Sequence, residues 1–287
     1  MRSPRSHGLH AVCLLLTASL VGVLSLCGCT SSSSSTEITV AGSTTVLPIA
    51  EIAAEKFEAQ SGVHVLVSGL GSSAGIEAAM NGTADIASSS RDLTASERDS
   101  DLVSTVIAHD GIAIIVNESN PVDDLSMDQL RGIYSGAITN WSEVGGPDLA
   151  IQVVNRDEAS GTREAFRTIV MGDTSFDRSA AVLPGTGQVR DVVSRTPGAI
   201  GYISIGFVES SNATTSVKSL SVGGVEATEA NVENGTYPIS RELYFFTNGE
   251  PTGAAYDYIQ FVLSDEMAQT IRDAGYIPVS ASAGDAS

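Results

Sequence analysis

From Glu37 onward, short β-branched runs alternate with stretches whose apolar residues recur every three or four positions. EITVAG, at 37–42, reads as a strand. The following VLPIAEIAAEKFEAQSG reads as a helix with Ile49, Ile52, Ala53 and Phe57 on one face. Pro48 is tolerated in its first turn and Gly62 ends it. VHVLVS places Val63, Val65 and Val67 on one side of a strand, GSSAGIEAAMNG gives a short helix, and TADIASSS a further strand. Thr94 and Glu97 form a capping box that predicts another helical turn, and Ser126 with Gln129 forms a second capping pair.

The apolar run GIAIIVNE at 111–118 predicts a buried strand, and IQVVN at 151–155 predicts one that leads straight into a helix carrying Phe166, Ile169 and Val170. Thr186 is the expected N-cap of the next helix, with Gly198 after Pro197 as its stop. AIGYISIGF and YPISRELYFFTNG read as strands, and residues 254–275 as the last long helical region. Strands alternating with helices predict an α/β protein with mostly parallel sheets. The strands near 111–117 and 238–247 are the expected crossings between two lobes. Residues 37–112 plus 241–287 then form one lobe and 113–240 the other.

Composition changes this picture in three places. A net charge of −19 speaks against nucleic acid as a partner, because phosphate backbones need a basic face. Residues 1–36 read as a leader and serine-rich linker outside the fold. Arg2 and Arg5 precede an apolar run, and Leu26-Cys27-Gly28-Cys29 has the form of a lipobox in which Cys29 is lipidated. Left uncut, the same run is near the lower limit for spanning a membrane. All three cysteines, Cys13, Cys27 and Cys29, lie in this leader, so the folded part has no disulfide and no thiolate metal site. With only His64 and His109 left there, a histidine-rich metal site is excluded as well, and no cofactor is expected. Sequons at Asn81, Asn117, Asn140, Asn212 and Asn234 carry no functional weight, since Ser/Thr-rich chains produce them freely.

The candidate chemistry lies in Ser/Thr-Gly turns. Gly42–Thr45, Gly71–Ser73 and Ser160–Thr162 each follow a strand and open a helix, and Gly185–Gly187 opens another. Any one of them is an ordinary helix cap. Converging on one cleft, they would surround a small oxyanion with hydroxyls and backbone N–H groups, without a basic surface. Arg91 and Arg156 are the candidate charge partners, with ion pairs to Asp92 and Asp157 as the ordinary alternative. Arg163 and Arg167 are expected on a solvated helix face. G-S-S-A-G at 71–75 also fits the nucleophile elbow of a serine hydrolase, with Ser73 reactive. The only histidine after it, His109, follows too soon for that fold, and no oxyanion-hole motif precedes it. Ser73 is better read as part of an anion cradle.

In the order AGSTTVLPIAE, GLGSSAGIEAAMNGTADIASSSRDLTASE, NRDEASGTREAF, LPGTGQVRDVV, TPGAIGYISIG and YPISRELYFFT, the chain resembles the phosphate-binding proteins of Pst-type ABC transporters, in their shorter bacterial and archaeal branch. The resemblance covers nearly all of 37–280. It implies a type II periplasmic-binding-protein fold, two α/β lobes on a two-strand hinge closing over one phosphate ion, with no catalysis. By motif, Thr44, Thr45, Ser72, Ser90, Arg91, Arg156, Ser160, Gly161 and Thr162 would form the site. Thr45 stands where some relatives have an aromatic residue that contributes only backbone. Ser90 stands where the better-known branch has an aspartate that accepts the phosphate proton and rejects sulfate. Asp92, Asp157 or a backbone carbonyl is the expected substitute. The family also implies a monomer, tethered by lipid to the outer face of the cytoplasmic membrane, that delivers phosphate to a membrane permease. Another tetrahedral oxyanion such as sulfate, molybdate or tungstate, an adhesin or sensor on the same fold, and a secreted hydrolase or phosphatase using Ser73 are the alternatives.

Overall fold

The computed structural model describes residues 37–208 and 217–279. The leader with Cys29 and the sequon at Asn212 lie outside them. Described in chain order are β1 (Glu37–Gly42), α1 (Leu47–Ser61), β2 (His64–Gly69), α2 (Ser72–Met80), β3 (Ile86–Ser89) and β4 (Leu102–Asn117). Next come β5 (Asp124–Leu125), α3 (Met127–Tyr134), β6 (Gln152–Arg156), α4 (Gly161–Phe166), β7 (Ala181–Leu183), α5 (Thr186–Arg195) and β8 (Ala199–Ser204). The chain ends with β9 (Val217–Val222), α6 (Glu229–Glu233), β10 (Ser240–Asn248), α7 (Gly253–Val262), α8 (Asp265–Asp273) and β11 (Ile277–Pro278).

Local chemistry accounts for several boundaries. Pro48 sits in the first turn of α1, and Gly62 closes that helix in the left-handed conformation at φ 73°, its N–H reaching Glu58 O. Ser126 and Gln129 make the expected capping box on α3. Thr94–Glu97 makes only a turn. The Glu97 carboxylate accepts the Thr94 N–H as a capping residue would, but it also receives Arg91, and no helix follows. Thr186 is the first residue of α5, and Gly185 is the cap. The last helical region is two helices, because Ser264 starts a new one after Val262.

The strand order is β2-β1-β3-β10-β4-β8-β6-β7. The flanks are parallel, as β1 with β2 and β3, and β6 with β7 and β8. The middle is antiparallel, so the sheet is mixed rather than mostly parallel. Its centre is β4, which pairs with β10 from Leu102 to Gly111 and then with β8 and β9 from Ile112 on. The apolar run had marked only the end of this strand, because Ser104, Thr105 and His109 break the hydrophobic pattern before Gly111.

The apolar side chains gather into separate cores on either side of that change of partner. One surrounds Phe57, Phe245 and Tyr258 beneath β1, β4 and α1. The other surrounds Tyr134, Trp141, Phe166 and Tyr202 along Ile112–Val116, where the Phe166 and Tyr202 rings stack with centroids 4.3 Å apart. Burying an aromatic side chain of this kind stabilises by roughly 1.5–3 kcal/mol each. A smaller cluster of Ile76, Ala79, Ala87 and Phe246 fixes α2 on the first core's sheet.

In GSSAG, the last glycine serves packing. A Cβ on Gly75 would lie 2.3 Å from Ala41 O and 2.5 Å from Gly42 Cα, so α2 can lie this close to the end of β1 only without a side chain there. Gly75→Ala is expected to lower the melting temperature by about 4–10 °C through overpacking, read by thermal denaturation followed by circular dichroism. An unchanged melting temperature would show that the helix can move away freely.

Candidate functional site

The turns that follow β1, β2, β3 and β6, together with the start of α5, meet between the two cores. Thr44 Oγ1 lies 3.0 Å from Thr186 Oγ1, and Thr45 Oγ1 lies 3.1 Å from Thr162 Oγ1 and 3.4 Å from Thr186 Oγ1. Ser72 Oγ is 3.3 Å from Ser90 Oγ and accepts the Ser90 N–H at 3.1 Å. A backbone bond also joins the two sides, from Ser73 N to Ala159 O at 3.1 Å. Gly161 belongs here for lack of a side chain. A Cβ on it would lie 2.3 Å from Ser72 Oγ and 2.7 Å from Ser90 Oγ. Ser160 caps α4 by accepting the Arg163 N–H, which leaves its own proton free to donate. The first N–H groups of α2, α4 and α5 have no acceptor within their own helix, and two of them are taken across the cleft, Ser73 N by Ala159 O and Thr186 N by Thr44 Oγ1 at 3.4 Å.

Arg156 ends β6 and is almost fully buried. Its Nε donates to Leu183 O at 3.1 Å, and its terminal nitrogens donate to Pro184 O at 2.7 Å, Thr186 Oγ1 at 3.2 Å and Thr44 Oγ1 at 3.2 Å. None of these acceptors is a carboxylate. Burial pulls the Arg156 pKa down, Tyr202 and Asp157 push it back, and the charge of Arg241 adds to the fall. The guanidinium is still cationic at neutral pH. One carboxylate oxygen beside it, Asp157 Oδ1, is buried and has no hydrogen-bond donor among the described residues.

Arg91 is placed differently from the sequence expectation. Its fork is taken by Glu97, at 2.6 Å to Oε2 and 2.8 Å to Oε1, and its remaining bonds go to Ser73 Oγ and Asp92 O. The ion pair exists, with Glu97 instead of Asp92 as partner. Asp92 turns to solvent with Arg98. Arg167 pairs with Glu164 on an exposed face, as the spacing suggested. Ser73 receives a guanidinium N–H, and His109 lies on β4 opposite Glu242, so no serine–histidine pair forms.

The structure adds residues that the sequence reading had passed over. Thr186 had been taken as a cap, yet its hydroxyl bridges both cores. Arg241 and Asp110 face each other across β10 and β4, the only charges with buried side chains on these two strands. A buried-type strand carrying a lone arginine opposite a lone aspartate was the available signal. A recess of about 380 Å³ is lined by Arg91, Arg98, Glu164, Arg241 and Tyr244, and neither Arg156 nor the converging hydroxyls lie in its walls. The larger recess of about 1100 Å³ lies near Pro48, Phe207, Thr228 and Tyr276 and contains neither Arg156 nor Arg241 in its walls. Recess size therefore does not coincide with the convergence of hydroxyls on a buried cation, which is the candidate site.

Two α/β lobes joined by the β4 and β10 crossing, with hydroxyls from both meeting between them, define a type II periplasmic-binding-protein fold. A family described as "PBP superfamily domain" matches residues 29–266. The chain is 33% identical to the phosphate-binding protein PstS of Bacillus subtilis (strain 168) over 249 residues, 85% of this chain and 81% of the relative. Among solved structures, a Clostridium perfringens protein described as a phosphate ABC transporter substrate-binding protein, with bound phosphate, is similar at 38% identity and TM-score 0.80. It covers 85% of this chain and 99% of its own. An ABC-type phosphate transport receptor from Vibrio cholerae is similar at 37% identity and TM-score 0.71, covering 84% of this chain and 100% of its own. The chain belongs to the Pst-type phosphate-binding protein family.

The Arg91–Glu97 pair makes a testable contribution to acid stability. Burial works against the Glu97 carboxylate, but hydrogen bonds from Arg91 and from the Thr94 N–H outweigh it and hold its pKa below the ordinary 4.5. A depressed pKa contributes stability above the unfolded value and loses it as pH falls through the folded one. Glu97→Gln is therefore expected to melt below the wild type at pH 7, with the gap closing below about pH 4. Thermal melts across that range check it, and a gap that widens in acid would contradict the assignment.

Proposed function

We propose that this protein captures inorganic phosphate outside the cytoplasm and delivers it to the permease of an ABC importer, without catalysing a reaction. The observation that carries this reading is Arg156, a buried guanidinium whose hydrogen bonds go to neutral oxygens, set among hydroxyls from both lobes in a chain of this family. The relatives named above are binding and transport proteins, which supports a binder over a hydrolase.

In this proposal lobe 1 is 37–112 plus 241–287 and lobe 2 is 113–240. Thr44, Thr45, Ser72, Ser90, Ser160, Gly161 and Thr162 supply hydroxyl and backbone donors, Arg156 supplies charge, and Thr186 joins them. Arg91 supports the turn under Ser73 and gives its fork to Glu97. Phosphate bound between the lobes favours the closed form because donors from both sides reach it at once. The closed monomer then docks on the permease, and a lipid on Cys29 keeps it at the outer face of the cytoplasmic membrane. No helix among the described residues is long and apolar enough to cross a membrane.

Discrimination against sulfate needs an acceptor for the proton that hydrogen phosphate carries and sulfate lacks. Of the two aspartates considered, Asp92 is exposed and paired with Arg98, whereas Asp157 presents a buried, unpartnered oxygen next to Arg156. The reading therefore takes Asp157.

Isothermal titration of the purified, ligand-stripped protein tests both parts. Phosphate should bind one to one, unaffected by excess sulfate, and Asp157→Asn should narrow the phosphate-over-sulfate preference by about tenfold or more. Tight binding of sulfate, molybdate or tungstate in place of phosphate would retain the fold and reject the assignment. Unchanged selectivity in Asp157→Asn would reject Asp157 as the acceptor.

A further inference from the structure

We infer that Arg241 is a positioning residue of the phosphate site, acting through the Thr45 hydroxyl and not on the anion itself. This rests on the phosphate-binding reading and deepens it.

Arg241, second residue of β10, faces Asp110 of β4, where the chain passes between the lobes. Side-chain exposure is 4% for Arg241 and 0% for Asp110. Two ions so far from water persist only when geometry and further hydrogen bonds satisfy them. Here Arg241 Nε and a terminal nitrogen reach Asp110 Oδ2 at 2.9 and 2.7 Å, and Ser204 donates to Asp110 Oδ1 at 2.6 Å. Burial pushes the Asp110 carboxyl up, while Arg241 and Ser204 pull it back down. The charge of Arg241 is thus matched within the protein, unlike that of Arg156.

What remains of the fork points at the cradle. One terminal nitrogen donates to Ser90 O at 3.1 Å, and the other reaches Thr45 Oγ1 at 3.4 Å. A hydroxyl has one proton and two lone pairs. Since Thr45 receives an N–H from Arg241, its own proton must point elsewhere, and the neighbouring oxygens on its other side are those of Thr162 and Thr186 across the cleft. Arg241 therefore fixes Thr45 as a donor toward the space between the lobes. Its hold on the Ser90 carbonyl sets the turn that brings the Ser90 hydroxyl beside Ser72. The two buried guanidinium groups divide the work: Arg156 offers charge, and Arg241 sets the direction of donors.

A double-mutant cycle read by phosphate titration tests this. Replacing the pair by neutral isosteres, Arg241→Gln with Asp110→Asn, avoids leaving a buried unpaired carboxylate. It should weaken phosphate binding about tenfold or more in the Thr45 background, but less than about threefold in a Thr45→Ala background. Thr45→Ser, which keeps the hydroxyl, should restore the full effect. Arg241→Lys retains the ion pair but lacks the fork, and should show the same dependence on Thr45 if the neutral pair fails to fold. Equal losses in both backgrounds would overturn the inference, since a purely structural role does not depend on the Thr45 hydroxyl. Wild-type protein that binds no phosphate would instead overturn the reading on which the inference rests.

Discussion

Arg156 is a cation buried against neutral oxygens, and much of the remaining architecture is arranged around that fact. An ion moved out of water without a matched partner costs several kcal/mol even after the protein relaxes. The chain meets part of that cost with carbonyls of Leu183 and Pro184 and with hydroxyls of Thr44 and Thr186. These neutral acceptors hold the guanidinium in place and leave its charge uncancelled. In the proposed site an anion entering between the lobes would gain from that charge in a setting where water screens it poorly. On that proposal the cost of folding around Arg156 and the attraction for an oxyanion have one origin.

The surrounding frame keeps this cation and its donors in register. Each lobe has its own aromatic core. The β4 strand belongs to both, pairing with β10 in one half and with β8 and β9 in the other. At the change of partner lies the Arg241–Asp110 ion pair, bonded to Ser204 on one side and to Ser90 and Thr45 on the other. One buried group thereby touches the crossing strands and the donor turns at once. The backbone bond from Ser73 N to Ala159 O and the close seat of Gly161 against Ser72 belong to the same set of contacts between the lobes.

A chain with net charge −19 can still hold an anion because the attraction is local. In the proposed site the one interior guanidinium without a carboxylate on its fork, that of Arg156, acts over a few ångströms. Surface carboxylates are screened beyond roughly 8 Å at physiological salt. The acidic surface suits solubility and repels nucleic acid, and it has little say in the cleft.

The alternation of strand and helix, the glycine stop of α1, the capping box on α3 and the Ser/Thr-Gly turns were legible in the residues themselves, because each depends on neighbours within a few positions. So was the family, through motifs in a fixed order. What lay beyond the sequence were facts set by distant pairings. The continuation of β4 back to Leu102 depends on its ladder with β10. Thr186 passes from cap to bridge because Thr44, 142 positions away, meets it. Arg91 goes to Glu97, while Arg156, equally flanked by acid, keeps its charge open. Local sequence states which side chains can donate, accept or carry charge. Which of them are buried together, and which charge is left unmatched, is decided only when both lobes enclose the same space, because desolvation depends on everything packed around a group and not on its neighbours in the chain.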